Sequence, residues 1–505
     1  MNAMSIAAKP EKDEKIIDIS ELKTRFDSNI RKYTLKNGLR VILMKNGFSP
    51  TIAAYLKVST GSAEEPFDIA GTAHFLEHLL FKGTKTLGTR NFEREKPYLE
   101  QIIADGERLD TIERQLLNPH LSQSERDKLN QRKSELNKRM SIWQKGAAKF
   151  ILSEEDSKAY SLAGQVGYNA YTTTDVTNYQ IKLPKNRLEL WAEIESSRFK
   201  QPVFREYYPE RKVILEERRM RYDSRPQSLL YELYLKTAFG FSPYGKPVIG
   251  FASNIPRMRY RDTLSFFNNY YTANRMVISI VGDIKFEPTL AIVKKHFEDL
   301  PAGSDPEYPP IELDAQNGHR RAELVAEHTP VLLTGFKRPP VTHSDDIALE
   351  ALSLILTQGN TSRLVKRLVI DEKIASSISS YSSLPGGKQE STFTIIASPF
   401  QHKDYHRLET VILEELNKIA ENGVSDDELK KIKNAYFVSL VDSLSANAGL
   451  ADSLSYAELI FGSYEEFFSS LEKMQKLESK QIQNAVKKYF KNEKRTTVYL
   501  VKPEQ

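Results

Sequence analysis

The sequence is organised around one short segment, GTAHFLEHLLFKGT at residues 71–84. Apolar residues recur in it at helical spacing, so it predicts a helix at about residues 71–81. His74 and His78 are four positions apart, which places their imidazoles one turn apart on one helix face. Glu77 shares that face. The pattern His-x-x-Glu-His is typical of a zinc site in which the glutamate takes a proton from metal-bound water.

Catalytic zinc usually takes three protein ligands, so the pattern predicts a third ligand elsewhere in the chain. A helix predicted at residues 208–223 carries Glu210 and Glu217, which are seven positions apart and therefore share a face after two turns. Glu216 points in another direction. One carboxylate of the pair can bind the metal while the other orients a ligand. For the histidine pair and for this charged helix, the alternative is an ordinary solvated surface.

The composition narrows the class of protein. With 40% hydrophobic and 28% charged residues the chain is typical of a globular protein, and its 505 residues suggest about two to four packed units. No apolar run approaches the roughly 18 residues of a membrane span. A net charge of +5 without a basic stripe gives nucleic-acid binding no support. The absence of cysteine excludes disulfides and thiolate ligands, so any metal must be bound through nitrogen and oxygen.

The compartment is predicted from the same composition. Residues 1–15 show no basic segment followed by an apolar core, so no signal peptide is visible. A mature exported protein would already have lost its signal, and a chain without cysteine is compatible with an oxidising compartment. We therefore expect a periplasmic protein, with a cytoplasmic location as the alternative.

The order of predicted elements indicates an α+β fold of two homologous domains, each a mixed or antiparallel sheet packed with helices. Residues 1–30 are predicted to form a flexible arm, 31–300 a metal-binding domain, 301–312 a linker and 313–505 a second domain without a metal site. In the first domain, strands are predicted at about 33–35, 39–43, 51–59, 168–178, 179–183 and 275–281, with helices at about 186–199, 227–238, 258–270 and 287–298 besides those above. In the second, strands are predicted at about 322–326, 331–336, 375–381, 391–397 and 496–501, with helices at about 344–357, 405–421, 426–444 and 478–490.

A highly charged segment at about residues 93–158 interrupts the first domain. Leucine and isoleucine recur in it at helical spacing, and Asn118-Pro119 breaks the pattern. This combination predicts an inserted helical hairpin. It is either a plain surface arm or an element that docks a partner or gates the site.

With the motif of residues 74–78 and the later Glu-x6-Glu helix, the chain resembles the pitrilysin and insulinase family of inverted zinc peptidases. It is most similar to the short branch that includes the mitochondrial processing peptidase and its bacterial relatives. The resemblance covers nearly the whole chain from Tyr33 onward. It implies that one Zn²⁺ is bound per chain, that Glu217 is the third metal ligand and that Glu210 is a supporting carboxylate.

The resemblance extends to a predicted strand beside the metal. Asn169-Ala170-Tyr171-Thr172 is similar to the family's edge strand, whose backbone takes a substrate peptide as an added strand. Such pairing binds main chain and tolerates many sequences, so we expect peptide substrates in an unfolded state. An ordinary hairpin is the alternative for this stretch.

The second half departs from the pattern of the first. Alignment of Gly83 with Gly359 places Glu350, Ser353 and Leu354 at the positions of the motif. Alignment of Glu210 with Glu428 likewise places Ala435 at the position of Glu217. We expect this half to serve as scaffold and as the wall of a closing chamber.

A second departure concerns two residues that the resemblance leads one to expect. Members of the family carry an arginine and a tyrosine seven positions apart in a second half, where they stabilise the oxyanion. Val369 and Ser376 occupy those positions here. We therefore predict that the chain is the zinc-bearing subunit of a bacterial heterodimer, with a related subunit supplying the pair. The alternatives are a non-catalytic core subunit of a complex and a zinc hydrolase of another bond.

Overall fold

The structure is a computed structural model, and it describes residues 28–47, 49–304, 316–401 and 404–503. Most of the predicted arm at residues 1–30 lies outside this part of the chain, and so does the greater part of the predicted linker at residues 301–312. Among the described residues, no helix combines the length and the apolar character that crossing a bilayer requires.

The first half of the chain builds a six-stranded sheet in the order β1-β2-β6-β3-β5-β4. Its strands are β1 (Ile30–Thr34), β2 (Arg40–Lys45), β3 (Thr51–Val58), β4 (Val166–Thr172), β5 (Thr177–Pro184) and β6 (Met276–Gly282). Strands β2 and β6 run parallel, and every other neighbouring pair is antiparallel. Strand β4 therefore lies at one edge of the described sheet.

Nine α-helices accompany this sheet among the described residues. They are α1 (Thr72–Leu80), α2 (Phe92–Gln115), α3 (Gln123–Ala148), α4 (Glu155–Leu162), α5 (Leu188–Lys200), α6 (Tyr207–Arg218), α7 (Pro226–Phe239), α8 (Tyr260–Tyr270) and α9 (Phe286–Phe297). Helices α2 and α3 pack against each other as the hairpin that the sequence predicts. Helix α3 begins with a capping box in which Ser122 and Glu125 satisfy each other's main-chain N–H groups.

The second half builds a five-stranded sheet in the order β7-β11-β8-β10-β9. Its strands are β7 (Arg320–Val325), β8 (Val331–Arg338), β9 (Ala375–Leu384), β10 (Ser391–Pro399) and β11 (Arg495–Val501). Only β7 and β11 run parallel within the described sheet. Apart from β1, this order repeats that of the first sheet strand for strand, so the predicted α+β fold of two similar domains is confirmed.

Six α-helices belong to the described part of the second half. They are α10 (Asp346–Thr357), α11 (Tyr405–Asn422), α12 (Asp426–Leu444), α13 (Asn447–Phe461), α14 (Glu466–Lys476) and α15 (Ser479–Tyr489). Helices α13 and α14 are absent from the sequence-based prediction. Helix α13 is apolar around much of its circumference because it is buried, and so it lacks the one-sided pattern on which that prediction relies.

The two halves exchange helices across their interface. Helix α7, from the first half, packs on β7, β8 and β11, and Leu230 and Tyr234 lie in a core with Val331 and Leu500. Helix α13, from the second half, packs on β3 and β6 of the first sheet. Each sheet is therefore covered on one face by a helix of the other half, which fixes how the two sheets are placed.

Two boundaries in the first half differ from the prediction. Residues 173–176, predicted as strand, form the turn between β4 and β5. The helix predicted at residues 208–223 leaves regular α geometry after Arg218 and continues as a wider π turn over Arg219–Asp223. Arg221, which contributes to the site described next, lies in this π turn.

Candidate metal centre

The N-terminus of helix α1 is held by hydrogen bonds to the side chain of Glu65. The Glu65 carboxylate accepts hydrogen bonds from the main-chain N–H groups of Gly71, at 2.7 Å, and Ala73, at 2.6 Å. Gly71 has a φ of 99°, and a Cβ there would lie 2.6 Å from the carbonyl oxygen of Ile249. Glycine is therefore required at this position. The apolar face of α1 is buried, and its histidines are turned away from that core.

The structure brings together His74 and His78 from α1 with Glu217 from the last turn of α6. The Oε2 atom of Glu217 lies 3.7 Å from His74 Nε2 and 3.5 Å from His78 Nε2. One ligand atom from each residue lies within 4.8 Å of the others, and these three residues form the only such group among the described residues. Convergent imidazole nitrogens and a carboxylate oxygen are the donors that zinc prefers.

Burial and hydrogen bonding support the fit of a cation. Within the described part of the chain, Glu217 Oε2 is buried without a hydrogen-bond donor. A buried carboxylate oxygen without a partner is costly, and a metal ion at this point would remove that cost. Burial, together with the charges of His78 and Arg221, lowers the pKa of His74 to about 3. His74 is therefore neutral near pH 7, as a metal ligand must be.

Glu210 lies behind His78. Its Oε1 is 3.0 Å from His78 Nδ1, and its Oε2 is 2.7 Å from Lys82 Nζ. Burial acts to raise the pKa of Glu210, but the hydrogen bonds to His78 and Lys82 outweigh it and lower that pKa. The pKa of His78 is raised, because the hydrogen bond to Glu210 and the nearby carboxylates outweigh burial. Glu210 thus orients His78 with its Nε2 toward Glu217.

Glu77 lies in the same cavity, and its side chain is held by the edge strand. Its Oε2 accepts a hydrogen bond of 2.5 Å from Thr172 Oγ1 at the end of β4. Glu77 is 8% exposed, and burial raises its pKa although Thr172 and His78 oppose that shift. A carboxylate with a raised pKa is a better proton acceptor than an ordinary surface glutamate.

The remaining predicted site residues, Asn169, Ala170, Tyr171 and Thr172, lie on β4 and line the cavity with the histidines. This cavity has a volume of about 830 Å³. Asn169 is exposed and the other three are partly buried. Among the described strands β4 pairs only with β5, so its outer edge has no partner strand there, and its residues 169–172 line the cavity. Such an edge presents main-chain N–H and C=O groups to a further strand.

Two features of the site escaped the sequence-based prediction. Arg221 Nη1 lies 3.0 Å from Glu217 Oε1, and its side chain lines the cavity at 67% exposure. The i,i+4 spacing from Glu217 is the signal that points to this pair. A second cavity of about 560 Å³ adjoins Glu77 and is lined by residues 151–157, at the end of the inserted hairpin. The insertion therefore contributes to the walls around the site.

At the corresponding place in the second half, the side chains contact the neighbouring strand and the apolar core. Glu350 accepts a hydrogen bond from Ser382 Oγ of β9, and Ser353 Oγ donates to the carbonyl oxygen of Ser380 at 3.1 Å. Leu354 packs against the apolar core of this half. The described part of the second half contains no group of three metal-ligating side chains.

Two family descriptions match the chain. The description "Insulinase (Peptidase family M16)" matches residues 40–101 and 154–251, and "Peptidase M16 inactive domain" matches residues 257–436. The stretch left unmatched within the first description, residues 102–153, covers most of the hairpin of α2 and α3 and the five residues after it. The first match includes the histidines and Glu217, whereas the second covers α10.

The chain is also similar to individual proteins. It is 28% identical over 485 residues to "Zinc protease PqqE" of Helicobacter pylori, with 92% of this chain and 91% of the relative covered. It is 25% identical over 451 residues to "Probable mitochondrial-processing peptidase subunit beta" of Arabidopsis thaliana, covering 86% of this chain and 71% of that protein. A crystal structure of a protease from Helicobacter pylori superposes with a TM-score of 0.75 at 26% identity, covering 93% of this chain and 99% of the other.

Proposed function

This chain belongs to the insulinase family of peptidases, peptidase family M16, and we propose that it is a zinc-dependent endopeptidase. The observation that carries the proposal is the convergence of His74, His78 and a buried, unpaired Glu217 oxygen beside Glu77. In the proposal His74, His78 and Glu217 hold one Zn²⁺, and Glu77 is the general base. Relatives named zinc proteases support it.

The chemistry divides between the metal and the chain. Zinc lowers the pKa of a water molecule and polarises a peptide carbonyl. Glu77 takes the proton from the attacking water and returns it to the leaving amine, which its raised pKa favours. Thr172 fixes one oxygen of Glu77 during this exchange. Glu210 holds His78 in the orientation that directs Nε2 toward the metal position.

The edge of β4 suggests how substrate is held. An extended peptide adds to β4 through main-chain hydrogen bonds, so the site accepts unfolded segments of varied sequence. A folded protein presents few unpaired strands, whereas an unfolded segment can become extended anywhere along its length. We therefore propose unfolded peptides as substrates, cleaved in a chamber that closes around them.

A partner subunit is part of the proposal. Val369 lies in a π-helical turn, Val365–Asp371, and packs against the core of the second half, and Ser376 Oγ donates to the carbonyl oxygen of Ser398. Neither side chain can stabilise an oxyanion in the way that arginine and tyrosine do. The Arabidopsis relative named as a subunit supports a heterodimer in which a related chain supplies this pair.

The competing function is a non-catalytic core subunit. That function predicts loss of a ligand or of the base, whereas His74, Glu77, His78 and Glu217 are present and adjacent. Their presence favours an enzyme. The periplasmic location expected from the cysteine-free composition remains part of the proposal, and cell fractionation tests it.

The decisive experiment compares the wild type with Glu77→Gln, each alone and with candidate partner subunits. Zinc content and hydrolysis of an unstructured fluorogenic peptide are measured. We expect Glu77→Gln to retain zinc and to lose activity by a factor of about 100 to 10,000, as for removal of a general base. The control is Glu93→Gln, an exposed residue of α2. Unchanged turnover in Glu77→Gln would overturn the assigned base, and full activity without a partner would overturn the heterodimer.

A further inference from the structure

The turn between β4 and β5 is fastened to the second half of the chain. Asp175, 4% exposed, lies in this turn. Its Oδ2 accepts hydrogen bonds from the main-chain N–H groups of Gly387, at 2.6 Å, and Lys388, at 3.1 Å, and its Oδ1 accepts one of 2.8 Å from the hydroxyl of Tyr244. Gly387 and Lys388 lie in the turn between β9 and β10. The two turns, one from each sheet, are therefore docked on each other.

A second attachment joins the ends of β4 and β5 that flank this turn to α13. The Tyr171 hydroxyl donates to Asp452 Oδ1 at 3.2 Å. Lys57 Nζ lies 2.6 Å from that oxygen and 3.0 Å from the Tyr171 hydroxyl, and it also donates to Asn178 Oδ1 at 2.8 Å. Lys57 is completely buried. A buried ammonium group must keep its partners, so this cluster holds β4 and β5 in one position relative to α13.

Thr172 lies between the two attachments, and it donates the hydrogen bond to Glu77. The turn that separates Thr172 from Asp175 is tight, because Thr173 N–H donates to the carbonyl oxygen of Val176 at 2.8 Å and Val176 N–H donates to Thr173 Oγ1 at 3.0 Å. A displacement of Asp175 is therefore transmitted along a short, hydrogen-bonded path to Thr172, and from there to the Glu77 carboxylate.

We propose that the second half of the chain, in whose described part no three metal-ligating side chains converge, positions Glu77 through this hairpin, with Asp175 as the positioning residue. The inference rests on the proposed function, since it concerns how the general base is held. It gives the second half a specific task in catalysis besides forming the wall of a closing chamber. Displacements of about 1 Å at a catalytic group cost on the order of 100-fold in rate, so a shift of part of that distance should be measurable.

A single methyl group added in the second half tests the proposal without a substitution in the first half. A Cβ added at Gly386 would lie 2.5 Å from Asp175 Oδ2 and 2.8 Å from the Tyr244 hydroxyl, so Gly386→Ala must displace the carboxylate. The matched control is Gly318→Ala in the same half, where an added Cβ meets nothing within 4 Å. Neither glycine has the positive φ that would strain alanine.

The first readout is hydrolysis of an unstructured peptide by the full chain, under the conditions in which the wild type is active, with kcat expressed per bound zinc. Gly386→Ala is expected to lower kcat about 10-fold with little change in zinc affinity, and Gly318→Ala to match the wild type. Normalisation to bound zinc separates positioning from a simple loss of folded protein. Tyr244→Phe, which removes one donor to Asp175 and keeps the ring, should act in the same direction and serves if Gly386→Ala does not fold.

The second readout does not need activity. Hydrogen exchange at the main-chain N–H groups of Thr173 and Val176 should be faster in Gly386→Ala than in Gly318→Ala, because the docked turn is loosened. An unchanged kcat per zinc, or a lowered kcat without faster exchange, overturns the proposal. If the wild type hydrolyses no peptide, the proposed function fails, and exchange alone then decides whether the second half holds this hairpin.

Discussion

Helices α1 and α10 occupy equivalent places in two sheets of the same strand order, yet among the described residues only α1 contributes to a group of three side chains that could hold a metal ion. In the first half, Glu77 contacts Thr172 of the neighbouring strand β4. In the second half, Ser353, at the position of Glu77, contacts Ser380 of the neighbouring strand β9. The contact between helix and edge strand is thus kept in both halves, whereas the ligands are present in one. The fold supplies the geometry, and a few side chains decide whether it holds a metal.

The largest effect should come from removing the ligand that α6 contributes to the first site. Glu217→Ala is expected to reduce zinc from about one ion per chain to a trace and to abolish hydrolysis, because two histidines alone hold zinc weakly. The matched control is Glu216→Ala, since Glu216 is 57% exposed and is paired with Arg219. Zinc content after dialysis checks both variants. If Glu217→Ala kept a full zinc content, Glu217 would not be a ligand that distinguishes the first half from the second.

A smaller effect is expected behind the metal ligands. Glu210→Gln should weaken zinc binding about 10- to 100-fold, because the carboxylate that orients His78 is lost. Glu206→Gln is the control, since Glu206 reaches Lys82 and is 44% exposed. Competition with a zinc-binding dye measures both affinities. Equal affinities in the two variants would argue that His78 needs no support.

Glu210 also governs how zinc binding depends on pH. The pKa of His78 is raised, so its proton is retained to higher pH and competes with the metal. Zinc affinity should therefore fall as pH decreases through this raised pKa. In Glu210→Gln the hydrogen bond that raises the pKa is weakened, so the same loss should occur at lower pH. A midpoint that does not move between the two proteins would contradict this assignment.

A still smaller effect is expected at Arg221, which contacts the metal ligand Glu217 in the first half. Arg221→Gln should lower kcat by about 10-fold or less, because Glu217 Oε1 loses its partner while Glu217 Oε2 and both histidines remain to bind the metal. Arg219→Gln is the matched control, because Arg219 is paired only with the exposed Glu216 among the contacts described for it. Steady-state kinetics with the zinc-loaded proteins distinguishes the two. Equal rates in the two variants would show that Arg221 has no more effect on catalysis than an ordinary solvated arginine.

The smallest effect should be found at the equivalent place in the second half. Glu350→Gln and Ser353→Ala change side chains that contact only neighbouring helix and strand groups, and we expect zinc content and kcat to stay within about two-fold of the wild type. Peptide hydrolysis per bound zinc is the measurement. A large loss of activity in either variant would show that this half contributes chemistry rather than position.

Much of the architecture could be predicted because it is encoded in local patterns. The helix at residues 71–81 and the hairpin at about 93–158 are amphipathic or strongly charged, and the structure confirms both as helical. The repeated order of strands and helices gave the two-domain fold. Helix α13 could not be found in this way, since it is buried on several sides and its partners are strands of the other half. Helix α14 is amphipathic, so its periodicity would have predicted it.

The sequence by itself determined the spacing of His74, Glu77 and His78 on one helix face, because helical periodicity is a local property of the chain. It also determined the substitutions that leave the second half without ligands. Only the tertiary structure decided that Glu217 Oε2 lies within 4 Å of both imidazoles and that Asp175 is docked on Gly387 and Lys388. These contacts join residues far apart in the chain, and long-range packing, including the exchange of α7 and α13, sets their distances.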